Sequence, residues 1–359
     1  MRYYSTNRRR NDELGYLKIP EEERKRWETA LKKKKKNERF DRFVATIADF
    51  PLKELSDGKC FYEQEWVHVK GYPRNCVTGV EFMGGENAVY CMVAQYVRGY
   101  KNPVWIQSNA IMSERKKRNS IAAKTGIEQP IIFIAEPDDV VYENVFSKEG
   151  ESTTHVSLYN IEQVVNPPEI EDYPEPLLYI TKDREKILDA HLENMAEGLG
   201  LTVTHNPYCS ESKCDKDKKI LELPPKSFYP EPEAYYCGAF YELSRCSVQM
   251  LEKDMGKTEH LSAEISTIML CHMYGIGVNL DEKKLQIKDA VREFLPLMKR
   301  EKVWYTSVLR DGGMAADYVI NHNRESIRKR NIFNNITSFE LQNLMPDEIK
   351  RPRGSGRHV

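Results

Sequence analysis

Three stretches of the chain gather side chains able to do chemistry. The first is Tyr72-Pro73-Arg74-Asn75-Cys76-Val77-Thr78-Gly79, a turn-rich loop that closes on Gly84-Gly85 and enters a helical stretch holding Asn87, Tyr90 and Tyr96. Glycines before a helix let backbone approach a phosphate closely, although a tight turn needs them equally. The Lys-Ser/Thr pair of a nucleotide-hydrolysing loop is missing, which argues against an NTPase. The second stretch is two neighbouring helices, with Glu242 and Cys246 four apart on one and Glu264, Cys271 and His272 about two turns apart on the next. Carboxylate, thiolate and imidazole together make a metal site one geometric possibility. The third is His205, Cys209 and Cys214, an H-x3-C-x4-C group without an obvious fourth ligand, in a loop that reads as a surface excursion.

The elements that must position these groups can be read from periodicity. Phe40, Phe43, Val44 and Ile47 recur at helical spacing, with Pro51 expected to stop that helix. Trp66 to Val69 and Ile131 to Ala135 read as strands, and 86–98 and 108–119 as helices. Residues 166–176, NPPEIEDYPEP, hold four prolines and four acids, a composition suited to a stiff connection. Beyond it, a helix from Asp183 to Gly198, strands at Leu201–Val203 and Ile220–Leu223, and helices over 234–254, 259–274 and 282–300 are expected.

With 359 residues, 40% of them hydrophobic and 10% aromatic, the chain is rich enough in core formers to exclude general disorder and long enough for more than one domain. The net charge of −1 hides an asymmetry. Residues 1–40 carry 14 Lys/Arg against 7 Asp/Glu (+7), leaving 40 against 48 (−8) in the remainder. Pro20 opens an expected helix from Glu21 to Asn37, acidic first and basic last, whose only apolar spot is Trp27 and Leu31. No apolar run approaches the roughly 20 residues of a membrane span. Eight cysteines without a C-x-x-C pair read as reduced thiols of a cytoplasmic protein.

The loop at Tyr72 gains meaning from the segments downstream of it. P-x-N-x-x-T-G, then Trp105 with Gln107, then Ile131-Ile132-Phe133, then Leu158-Tyr159-Asn160-Ile161-Glu162-Gln163 occur in an order that resembles the ArdC-type antirestriction proteins over about residues 38–168. Phe82 stands where that family usually has Tyr, and Asn87 lies one position late. The resemblance implies a single-stranded-DNA-binding first domain. Independently, Tyr72, Phe82, Tyr90, Tyr96, Tyr100 and Trp105 are rings able to stack on bases, though most such aromatics belong to a core. Arg74, Arg98, Arg115, Lys116, Lys117 and Arg118 are cations able to track phosphates, and Asn75 and Thr78 belong to the loop.

The same resemblance implies a metallopeptidase-like second domain, whose H-E-x-x-H helix and a later glutamate hold zinc in the family. Here the corresponding stretch runs from Tyr236 to Arg245, and Ala263-Glu264-Ile265 matches the segment of the third ligand. Tyr241 and Arg245 occupy both histidine positions, and a guanidinium has no lone pair to give a metal. Arg245 is therefore expected to bring a fixed cation to the place of the zinc, within reach of Glu242 and Glu264. Trp304-Tyr305 and Gly312-Gly313-Met314-Ala315-Ala316-Asp317-Tyr318 echo the family's closing helices as packing residues.

The expected fold class is α+β: a basic arm and helix (1–37), an ArdC-like domain (38–168), a linker (169–176), a degenerate zincin-like domain (177–335) and a basic tail (336–359). The expected function is binding of single-stranded DNA by a protein of a phage or mobile element, protecting or accompanying incoming DNA, with no catalytic residues, no metal and no cofactor. A protein partner through the basic arm or the second domain, and carriage in a virion, are compatible with it. Two other readings stay open: a structural or interaction protein that uses the fold as scaffold, and a divergent metallopeptidase with zinc and Glu242 as general base.

Overall fold

The computed structural model describes residues 44–77, 79, 81, 85–107, 110–111, 122–123, 131–133, 156–167, 180–251 and 258–330. The expected arm, with Trp27, the linker at 169–176, Thr78, Phe82, the Arg115 to Arg118 run and the tail lie outside the described residues.

A π-helical turn at Val44–Ala48 leads into helix α1, Phe50–Ser56. Pro51, expected to end a helix, instead lies in the first turn of this one. First-turn N–H groups have no intrahelical acceptor, so proline loses nothing there. Trp66 to Val69, expected as strand, contributes instead to a 3-10 turn over Glu65–His68 that buries both Trp66 and Val67. The backbone closes on itself there, Val67 N donating to Gln64 O at 3.1 Å and Val69 N to Trp66 O, the i to i+3 pattern of a 3-10 turn and not of a ladder.

Strand β1 (Arg74–Asn75) is followed by helix α2 (Gly85–Arg98) and β2 (Val104–Gln107), and β1 pairs with β2 in parallel. Parallel neighbours need such a crossover. Strands β3 (Ala122–Ala123), β4 (Ile131–Phe133), β5 (Val156–Asn160) and β6 (Val164–Val165) complete this part. The larger sheet has the order β1-β2-β5-β4, with β5 antiparallel to both neighbours, and β3 pairs with β6.

The second half opens with α3 (Lys182–Gly198), capped by the Thr181 hydroxyl accepting from Arg184 N. Strands β7 (Thr202–His205), β8 (Lys213–Asp215) and β9 (Ile220–Leu223) form a sheet ordered β7-β9-β8, so β8 is an edge. Helices α4 (Pro232–Met250), α5 (Glu259–Met273), α6 (Lys284–Arg300) and α7 (Lys302–Arg330) come next. The 29-residue α7 packs on α2, α3, α4, α5 and α6.

Gly312-Gly313, expected as packing residues of a closing helix, lie inside α7. A Cβ on Gly312 would stand 2.7 Å from Ile265 Cβ and 2.8 Å from Ser262 O, so the glycine lets α5 and α7 touch backbone to side chain. A Cβ on Gly85 would stand 1.9 Å from Leu309 O and 2.7 Å from Gly313 N, which brings the start of α2 onto the same helix. Each glycine costs a helix about 1 kcal/mol of propensity, which the close packing has to offset.

One apolar core runs from Ile47 through Trp105 and Leu158 to Ile320, so the two halves share their interior. Polar contacts cross the same seam: Asp49 with Lys302, Glu63 with Lys284, and Tyr62 Oη with Asp281. A smaller cluster of Val104, Ile106, Ile111, Ile161 and Val164 joins β2 to the turn at Ile161 and the start of β6.

Candidate functional site

The loop region divides into shaping residues and exposed ones. Arg74 and Asn75 are buried in β1. Asn75 Oδ1 accepts from Val77 N at 2.8 Å and its carbonyl accepts from Gly79 N at 2.8 Å, so Asn75 builds the turn. Trp105, expected to stack on a base, is wholly buried with Tyr100 edge-on at 6.0 Å and presents no face to a ligand. Tyr72 and Tyr90 are buried too, because rings of this size contribute most when removed from water. Arg98 is half-buried beside the exposed Tyr96 and Val97 at the end of α2. Thr78 and the Arg115 to Arg118 run, also expected as contacts, lie outside the described residues.

The Asn160-Ile161-Glu162-Gln163 motif explains itself as architecture. Asn160 N donates to Gln163 Oε1 and Glu162 N donates to Asn160 Oδ1, a reciprocal cap of a 3-10 turn. Asn160 Nδ2 donates to Asn102 O, while Glu162 Oε1 accepts from Lys101 N and Asn102 N at 2.7 and 2.8 Å. Every polar side chain of the motif thus fixes either its own turn or the loop that enters β2.

In the second half the chemistry gathers around Glu242 on α4. Its carboxylate is almost wholly buried and holds three partners. Lys283 Nζ is 2.9 Å from Oε1, Arg245 Nη1 is 3.2 Å from Oε2, and Cys214 N on the edge strand donates to Oε2 at 3.1 Å. Lys283 is itself buried, donates to Ser212 O, pairs with Glu282 Oε1 at 3.2 Å and lies 5.9 Å from the centre of the Tyr241 ring. The inner cation is therefore Lys283, which sequence reasoning missed, and Arg245 is the outer one.

Arg245 reaches Glu242 as expected, but its second carboxylate is Glu259, 2.9 Å from Nε, and not Glu264. Burial raises the Glu259 carboxyl against the opposing pull of Arg245. The Tyr241 hydroxyl lies 2.6 Å from His260 Nδ1 with the rings stacked. Burial, aided by Arg245, lowers the His260 pKa, so this hydrogen bond joins a phenol hydroxyl to an imidazole that favours its neutral form.

Glu264 turns away from this cluster. It is fully buried, its Oε1 accepts from Tyr62 N at 2.8 Å, and burial pushes its pKa up to about 8. His272, two turns further along α5, makes a 2.6 Å contact from Nε2 to Val67 O, and burial pushes its pKa down to about 4. Cys271 faces Cys237 with the sulfurs 3.4 Å apart. The five potential ligands Glu242, Cys246, Glu264, Cys271 and His272 are thus not brought together. Nor are His205, Cys209 and Cys214: His205 Nε2 meets Tyr235 Oη at 2.9 Å, Cys209 donates to Glu211 O, and Cys214 lies against α4.

A divalent ion does not fit the donors present. Tyr241 is spent on His260, Arg245 repels a cation, and Glu242 already faces an ammonium and a guanidinium. Among the described residues no three His, Cys, Asp or Glu side chains stand close enough to hold a metal ion.

The chain matches no family model and no curated protein in sequence. Its fold is similar to that of the antirestriction protein ArdC from the R388 plasmid. The metal-free crystal structure of ArdC superposes on 78% of this chain and 97% of that one, with TM-score 0.56 and 17% identity. The Mn(II)-bound structure superposes on 77% and 96%, with TM-score 0.57 and 17% identity. At that identity the likeness is one of fold. No helix among the described residues is long and apolar enough to cross a membrane.

Proposed function

We propose that this chain is an ArdC-like protein that binds single-stranded DNA and protects or accompanies DNA entering a cell, its second half serving as a scaffold without peptidase chemistry. The observation that carries the second clause is the Lys283 ammonium held between Glu242, Ser212 O and Glu282, a cation supplied by the chain itself. A carboxylate engaged in this way does not take a proton from water as a general base. The DNA-binding clause is supported by the ArdC fold and by the order of motifs over 38–168. Its contacts are Arg98 at the end of α2 and the Arg115 to Arg118 run, through phosphate neutralisation. Tyr96 supplies an exposed ring. On this reading the protein acts in the host cytoplasm and belongs to a phage or mobile element.

Because the two halves share one core, the test uses the full chain. Fluorescence anisotropy with a labelled single strand should show salt-sensitive binding that duplex DNA does not displace. Replacing Arg115, Lys116, Lys117 and Arg118 together by Glu should abolish it. Unchanged affinity in that variant would refute the basic run as the contact, and no binding by the parent chain would refute the DNA reading.

The interaction-protein reading has its own observation. Tyr208, Phe228 and Leu285 are 95%, 58% and 71% exposed, and Ser212 N and Tyr229 Oη both donate to the Glu282 carboxylate. Large apolar side chains left in water are a feature that protein contacts use.

A further inference from the structure

The two edges of the second sheet differ in whether the chain itself occupies them. At β8 the outward amide of Cys214 donates to the Glu242 carboxylate at 3.1 Å. At β7 the parallel register with β9 turns alternate N–H groups inward. Thr202 N donates to Lys219 O and Asn206 N to Leu223 O, with Thr204 between them on the same side. The N–H and C=O of Val203 and His205 therefore point away from β9, and no strand of the described residues pairs with that side. Open edges are commonly guarded by charged side chains or proline, yet Thr202-Val203-Thr204-His205 holds no Lys, Arg, Asp, Glu or Pro. We propose that β7 is a homodimer edge, pairing antiparallel with β7 of a second copy about a twofold axis at Thr204 and joining the two three-stranded sheets into one.

The strand is complementary to itself in this register. Val203 stands opposite His205 of the second copy, and each such pair exchanges two N–H···O bonds, so every outward donor and acceptor of the strand is used. Thr204 meets Thr204 in the closer, non-hydrogen-bonded pair, where a cross-strand threonine pair is favourable. Thr202 meets Asn206, and no like charges face each other. The edge is clear of its own side chains: the His205 ring lies on a face of the sheet, its Nε2 2.9 Å from Tyr235 Oη and its plane stacked on that ring. Beyond the strand ends the same register sets Tyr208, 95% exposed, against Gly200 of the second copy, where an added Cβ meets nothing within 4 Å. The ring thus has both a need for cover and room to find it. Such an interface is isologous, so it closes at two copies, and a single short ladder makes the dimer concentration-dependent.

Sedimentation equilibrium of the full chain without DNA tests this, apart from the DNA reading. The parent should pass from monomer to dimer as its concentration rises, with no larger species. Thr204→Lys and Thr204→Glu each set like charges against each other on the axis, and each should raise the dimer dissociation constant at least tenfold at low salt, with thermal unfolding close to that of the parent. An equimolar mixture of the two variants should dimerise again, through a Lys–Glu pair across the axis. A parent that stays monomeric at every concentration overturns the proposal and leaves the edge to a strand of another protein. A dimer that tolerates both charges overturns it too, since β7 is then not the interface. Variants that stay monomeric even when mixed take Thr204 off the axis, and the proposed pairing falls with it.

Discussion

Lys283 Nζ stands 2.9 Å from Glu242 Oε1 with both side chains almost wholly removed from water. A buried ion pair is weak evidence of net stabilisation, because desolvation opposes attraction, but losing one partner leaves the other charge uncompensated. Lys283→Met is therefore expected to cost about 3 to 5 kcal/mol, in the range of broken buried pairs. Urea unfolding checks it, and the double variant Lys283→Met/Glu242→Gln should recover much of the loss. A double variant as unstable as the single one would mean that Lys283 acts mainly through Ser212 O and Glu282.

Two groups on one face of α5 give opposite pH slopes. Glu264 has a folded pKa of about 8, above its unfolded value, so its contribution is fully present only below the unfolded carboxylate range and is lost as pH rises toward 8. His272, pushed down to about 4, contributes above its unfolded value near 6.5 and loses that contribution as pH falls toward 4. Thermal unfolding of Glu264→Gln should lose part of the decline in stability between pH 5 and 8. An identical decline in the variant would place its cause elsewhere.

The sequence made the elements readable where periodicity was long, as in Lys182–Gly198 and Glu259–Met273. It misled where one residue type has two meanings. Pro51 is a stop signal or a first-turn residue, and only the chain before it decides. Lys283 sits in Asp281-Glu282-Lys283-Lys284, which reads as solvated charge. Its burial was legible only in the spacing from Leu280 through Lys283 to Ile287, Ala290 and Val291, which puts it on the apolar face. That Arg245 would reach Glu242 was implied by their spacing on one helix. That Glu264 would face Tyr62 was not, because the contact spans two distant segments.

The close approaches to α7 give a sharper test of packing. Gly312→Ala would push a methyl group against Ile265 and Ser262 O, and Gly85→Ala would push one into the α7 backbone. Overpacking costs about 1 to 3 kcal/mol where neighbours can shift, so both should reach at least the upper end of that range. At Gly200, where an added Cβ meets nothing within 4 Å, only the positive φ of 72° penalises alanine. Its loss, measured in the same urea series, should be the smaller, about 1 to 2 kcal/mol. Equal losses at all three positions would show that backbone conformation and not helix contact sets the cost.

Trp105 separates a core role from a binding role. It lies in β2 with its ring wholly buried against Tyr100, so Trp105→Phe removes packing but no surface open to a base. The folded variant should bind a labelled single strand within about twofold of the parent and melt at a lower temperature. Tyr96→Ala should do the reverse, because Tyr96 is exposed beside Arg98 and touches the core mainly through Phe50, 6.0 Å away. A stacked base is worth about 1 to 3 kcal/mol, so Tyr96→Ala should weaken binding roughly 5- to 150-fold with little change in melting. If Trp105→Phe instead lost binding at unchanged stability, the strand would have to enter the sheet itself, and the loop from Tyr72 to Gly79 would have to open to admit it.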